Sequence, residues 1–168
     1  MRRWGWLWML GAVAGCGYRF TAGGAGLPEG IRSVCAPLLV NQTSEPGLEV
    51  AFTESLRMQL LRAGVAGGPG VCTGEISGEL SSLTANPTVL TQAGAPASYR
   101  IQALVRLRLT RGDRVLSETT LSGTEEYLPP PASAPADVLQ AEAQRQAALL
   151  RLAEEMMRDG YERLASVW

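Results

Sequence analysis

The chain has 168 residues, with 15 basic against 16 acidic side chains, a formal net charge of −1 and no histidine. Every basic residue is arginine, so the composition offers neither the general positive field of a nucleic-acid binder nor a histidine- or lysine-activated nucleophile. The carboxylates lie mostly on predicted helix faces or beside arginine, and of the three cysteines Cys35 and Cys72, the two beyond the amino-terminal segment, cannot close a zinc site without histidine. The expectation is a protein with no catalytic residues, no metal and no cofactor, that is, not an enzyme.

Arg2-Arg3, the apolar run from Trp4 to Ala14 and the small residues before Cys16 read as a secretory signal over residues 1–15, because a membrane span needs about twenty apolar residues. Val13-Ala14-Gly15-Cys16 resembles the bacterial lipobox, in which the cysteine receives a diacylglycerol and becomes the amino terminus. Cys16 is therefore the expected lipidation site, and its covalent lipid the only attached group. Residues 16–30, rich in Gly and Ala, are the expected flexible tether. Residues 31–168 should form one domain.

Within that domain Val34, Ala36, Leu38 and Val40 alternate with Ser33, Cys35, Pro37 and Leu39, which predicts a mostly buried strand. Pro37 cannot donate to a ladder and marks an edge or a bulge. After turn and capping residues at 41–44, Leu48, Phe52, Leu56 and Leu60 recur every four residues and predict a helix ended by Gly64. A second strand is expected from Glu75 to Ala85, and a loop from Asn86 to Ser98, where Pro87, Gly94 and Pro96 fall. The third strand is the clearest. Tyr99, Ile101, Ala103, Val105, Leu107 and Leu109 point one way, and Arg100, Gln102, Leu104, Arg106, Arg108 and Thr110 the other. Arg111-Gly112-Asp113-Arg114 turns the chain into a fourth strand, Val115 to Thr124.

A proline-rich connector follows from Leu128 to Ala136, and Asp137 with Gln140 resembles a capping pair for a long helix. Its expected apolar stripe is Leu139, Ala143, Ala147, Leu150, Met157, Tyr161 and Leu164. The order β-α-β-β-β-α predicts an α+β two-layer sandwich, a four-stranded mixed sheet with both helices on one face. Export would let Cys35 and Cys72 form a disulfide, worth about 4 kcal/mol in the chain-entropy description. A lone buried cysteine in a strand is the alternative.

Cys16-Gly17-Tyr18-Arg19-Phe20 after the lipobox, Leu27-Pro28 before the first strand, Asn41 with Pro46-Gly47-Leu48-Glu49 opening the first helix, and Ser98-Tyr99-Arg100 opening the third strand are similar to the lipopolysaccharide-assembly lipoprotein family LptE. The Ala- and Leu-rich stretch Ala147-Ala148-Leu149-Leu150-Arg151-Leu152-Ala153 agrees. The resemblance implies a lipid-anchored protein on the periplasmic side of the outer membrane. Such a protein plugs and helps assemble the LptD β-barrel and aids passage of lipopolysaccharide to the cell surface. It departs from many relatives in lacking lysine, so any contact with lipid phosphates falls to arginine. The strand, Asn-x-Thr, Pro-Gly turn and helix also open lipoprotein domains of the curli-secretion and peptidoglycan-synthase activator kinds, which leaves a binding module of another envelope machine as the alternative. Arg100, Arg106 and Arg108, on one side of the third strand, are the candidate contacts for lipopolysaccharide or for the barrel wall.

Overall fold

The computed structural model describes residues 27–28, 30–68, 70–90, 92, 94, 96–129 and 138–166. The expected signal, Cys16 and its tether as far as residue 26, most of the proline connector, and Asp137 lie outside the described residues.

The predicted first strand is two short segments, β1 (Val34–Cys35) and β2 (Val40–Asn41), both parallel to β3 (Gly74–Leu90). Cys35 pairs with Glu75 and Val40 with Glu79, so five steps along one strand match four along the other. The extra residue is a bulge at Pro37, and it reverses the face of everything after it. Val34 and Ala36 point inward as expected, but Leu39 replaces Leu38 and Val40 in the core, and those two are 58% and 59% exposed.

Helix α1 (Leu48–Arg62) buries Leu48, Phe52, Leu56 and Leu60. It starts from Gly47, at φ 88°, and the chain leaves it through Gly64, at φ 69°, both conformations that glycine adopts without steric cost. The helix also satisfies the bulge. Buried Thr53 accepts a hydrogen bond from the Leu39 amide through Oγ1 (3.0 Å), and Arg57 Nε donates to the Ala36 carbonyl (3.0 Å). Two backbone groups that have left the sheet ladder thus find partners on the helix above them.

Strands β4 (Pro96–Arg111) and β5 (Arg114–Tyr127) complete a mixed sheet of order β1-β3-β4-β5, with β2 also on β3. Ile101, Ala103, Val105, Leu107 and Leu109 are each no more than 1% exposed, while the residues between them face solvent. The predicted loop at Asn86 to Ser98 is mostly strand: Asn86 pairs with Arg100, Pro87 with Tyr99, and Leu90 with Pro96. Beyond Leu80, no strand among the described residues lies on the other side of β3, so Pro87 is tolerated at an edge position, flanked by a register shift.

Helix α2 (Val138–Ala165) buries Ala148, Leu149, Leu152, Ala153, Met156, Met157, Gly160 and Leu164. The predicted stripe is right at Met157 and Leu164, and wrong before them. Leu139 is 84% exposed, and Ala143 and Ala147 are also outside, because the helix joins the core only from Ala148 onward, while Leu150, 53% exposed, lies on the side turned away from the core. Small residues let it lie close. A Cβ at Gly160 would stand 2.5 Å from Leu107 Cδ1 and 2.7 Å from Leu121 Cδ1.

Both helices contribute to a single core against one face of the sheet, which is the expected two-layer α+β architecture. Replacing Leu56, fully buried at the centre of α1, with Ala should cost about 3 kcal/mol through lost transfer energy and a cavity. Urea unfolding followed by circular dichroism checks this, and an unchanged midpoint would mean that α1 is not packed as described.

Candidate functional surface

Cross-strand pairing puts the residues that flank the β4 arginines on the same, uncovered face. Arg100 sits between Asn86 of β3 and Glu126 of β5, Arg106 between Glu79 and Thr120, and Arg108 between Ser77 and Glu118. Gln102 lies between Thr84 and Thr124, and Leu104 between Ser82 and Ser122. Across these five rows the face is a central column of long side chains bordered by columns of hydroxyls, amides and carboxylates, with Leu104 the apolar member of the central column.

All three predicted arginines are half-exposed here, and each is paired. Arg100 meets Glu126 at 2.6 Å, and Glu118 is shared between Arg106 at 3.6 Å and Arg108 at 3.1 Å. Glu75 and Glu79 stand on the same face along β3, so four carboxylates accompany three guanidinium groups. The surface is close to neutral, and an incoming phosphate would compete with carboxylates already in place.

The structure brings Cys35 and Cys72 together as a disulfide with a Cα–Cα distance of 5.7 Å, inside the range such a bond requires. It links β1 to the segment before β3 and encloses α1 in the loop it closes. Mass spectrometry under non-reducing conditions should find the mature protein lighter by two hydrogens than its reduced form. Two intact free thiols would remove the bridge.

An ion pair that no sequence pattern announces ties α2 to the start of α1. Arg145 of α2 reaches Glu45, in the loop before α1, at 2.6 Å, with both side chains partly buried. Asn41 organises that loop: its Nδ2 donates to the Glu45 carbonyl and to Glu49 Oε2, and its Oδ1 accepts from the amide and the hydroxyl of Thr43. A sequence separation of 100 residues leaves no local pattern from which such a pair could be read. At the same end of the sheet, the rings of Tyr99 and Tyr127 stack with centroids 5.4 Å apart.

The hydrogen bond from Arg145 is the main reason the Glu45 carboxyl titrates below its ordinary value of 4.5. A depressed folded-state pKa means that the stabilisation is present in full above the unfolded value and is lost as pH falls through the lower folded one. Glu45→Gln should thus cost about 1 kcal/mol at pH 7, a figure reduced for partial exposure. The gap from wild type should close below pH 4.5. Urea denaturation at pH 7 and at acid pH checks this, and a gap that does not narrow with acid would remove the ion pair as its cause.

Among the described residues no cluster of three or more His, Cys, Asp or Glu is placed to hold a metal, and no helix is long and apolar enough to cross a membrane. What the geometry defines is a two-layer α+β body whose organised polar surface is an open sheet face. The lipopolysaccharide-assembly family model, LptE, matches residues 31–164, and the chain belongs to that family.

A search of curated proteins finds no match. Among solved structures, the rare lipoprotein B of Shewanella oneidensis shares 16% identity at a TM-score of 0.52, over 77% of this chain and 94% of that one. PelC of Paraburkholderia phytofirmans, a dodecamer, shares 16% at 0.56, over 88% and 95%. A hypothetical protein of Chlamydia trachomatis shares 12% at 0.53, over 79% and 95%. At such identities these likenesses speak for the fold.

Proposed function

We propose that this protein is a lipoprotein of the outer membrane, anchored on the periplasmic side through Cys16. In this reading it seats its open sheet face against the inner wall of an LptD-type β-barrel, and it supports barrel assembly and lipopolysaccharide transport without catalysing a reaction. The family match supports the lipopolysaccharide-assembly role over a module of another envelope machine. The lipobox and leader support the anchor. The lipoprotein relatives of the same fold are consistent with it.

One observation carries the choice of surface. The face bearing Arg100, Arg106 and Arg108 is left uncovered by both helices, yet it is polar, spans three strands and is close to charge-balanced. The lumen of a transmembrane barrel is likewise polar, and alternating charges and hydroxyls on both walls can pair without burying a lone ion. A phosphate site would need surplus positive charge, and Glu118 already occupies two of the three arginines. This supports the barrel wall over lipid phosphate as the partner of these arginines.

The double change Arg106→Glu with Arg108→Glu places two further negative charges beside Glu118 and Glu79 on this face. With folding verified by circular dichroism, it should lower co-purification of the barrel with the mature lipoprotein from outer membranes at least tenfold. Binding of purified lipopolysaccharide should hold within a factor of two. Loss of lipopolysaccharide binding with the barrel complex intact would reverse the assignment, and no effect on either would leave the face without a role.

A further inference from the structure

The geometry points to the free edge of β5 as a strand-addition site for an extended segment of a partner protein that carries arginine or lysine on its inward-facing side. β5 is the terminal strand of the sheet, 14 residues long, and among the described residues only β4 pairs with it. Terminal strands are usually protected by proline, lysine, a bulge or brevity. From Ser117 to Tyr127 this one has no proline, lysine or bulge and runs in continuous register with β4, and its charged residues, Glu118, Glu125 and Glu126, leave the stretch Thr119 to Thr124 between them uncharged. Among the described residues, no loop or side chain bonds the backbone groups that point away from β4.

A second observation falls on the same residues. A groove of about 390 Å³ runs between the β5 edge at Leu121 to Thr124 and helix α2. Leu152 and Met156 form its apolar floor, drawn onto the strand because residue 123 is glycine: a Cβ there would stand 2.5 Å from Met156 Sδ. Glu155, Asp159 and Glu162 are acidic members of the lining, against Arg158. Asp159 is held by Arg163 at 2.8 Å, whereas among the described residues Glu155 and Glu162 enter no ion pair.

In strand addition the main chain supplies affinity and pockets for alternate side chains supply selectivity. Here the groove would receive every second side chain of the added strand, about 7 Å apart. Glu155 and Glu162 are two turns apart on one helix, about 10.5 Å along its axis, so two successive long basic side chains could place their stems on Leu152 and Met156 and their charges on the two carboxylates. A second copy of this chain is a poorer occupant, since pairing β5 with β5 would bring two such acidic grooves together.

The test uses the full mature lipoprotein in detergent. The probe is a fluorescein-labelled 11-residue peptide of alternating threonine and arginine, compared with its glutamate counterpart and with a version N-methylated on alternate amides, which cannot pair as a strand. Saturable binding of the arginine peptide is expected, with hydrogen-exchange protection confined to β5. Affinity should drop at least tenfold on N-methylation and at least tenfold in Glu155→Lys with Glu162→Lys, surface changes that leave the melting temperature in place. Equal binding of the N-methylated peptide, protection elsewhere, or no saturable binding would overturn the proposal. So would a dimer of the peptide-free protein that protects the β5 amides.

Discussion

Both faces of this protein depend on the register between β4 and β5. The turn at Gly112-Asp113 pairs Arg111 with Arg114 and Thr110 with Val115, but Leu109 then pairs with Ser117, so one residue of β5 is passed over. From there on, the one-residue shift decides which side chains share a face. It sets Leu121 opposite Val105 in the core, and Glu118 and Glu126 opposite Arg108 and Arg100 outside. Without the bulge Leu121 would lie opposite Leu104 on the wet face, and the glutamates would turn towards the helices. The charge balance of the open face and the packing of α2 over Leu121 thus have a common origin.

A similar device operates at the other edge. The bulge between β1 and β2 removes Ala36 to Leu39 from the ladder, and the polar backbone this exposes is taken up by Thr53 and Arg57 of α1. The helix is therefore positioned by hydrogen bonds to that edge as well as by its apolar stripe. The link between Cys35 and Cys72 lies beside the same bulge, while Glu45 and Arg145 hold the opposite end of α1 to α2. Each end of the helical layer is fixed by an interaction with a different range in sequence, and the core between them is left to nonspecific packing.

How much of this was readable in the sequence follows from how local each signal is. The β4 alternation and the α1 stripe were legible because one period dominates and burial enforces it. The phase of α2 was not, because Ala147-Ala148-Leu149-Leu150 is apolar all round and only contact with Gly123 and Leu121 selects the buried side. Asn86 and Pro87 read as loop. Their strand character comes from the partner, since a long β4 offers a ladder that weak local preference does not resist. The arginines are legible as candidates from the β4 alternation, but Glu118, Glu126 and the β3 carboxylates join them only through the registers of both neighbouring strands.

That last difference changes what the candidate surface can do. Three arginines on one side of a strand, read alone, describe an anion site. The same three among four carboxylates describe a surface with little net field but dense, directional pairing capacity. A lone anion gains little from it, because each guanidinium must first leave an existing partner. A second polar wall loses little, because charges on both sides can exchange partners while remaining solvated at the rim or paired in the middle. The sheet face is thus suited to extended contact with another protein, whereas the groove beside β5, where Glu155 and Glu162 are without ion-pair partners among the described residues, is the place on this fold where a single basic segment would gain most.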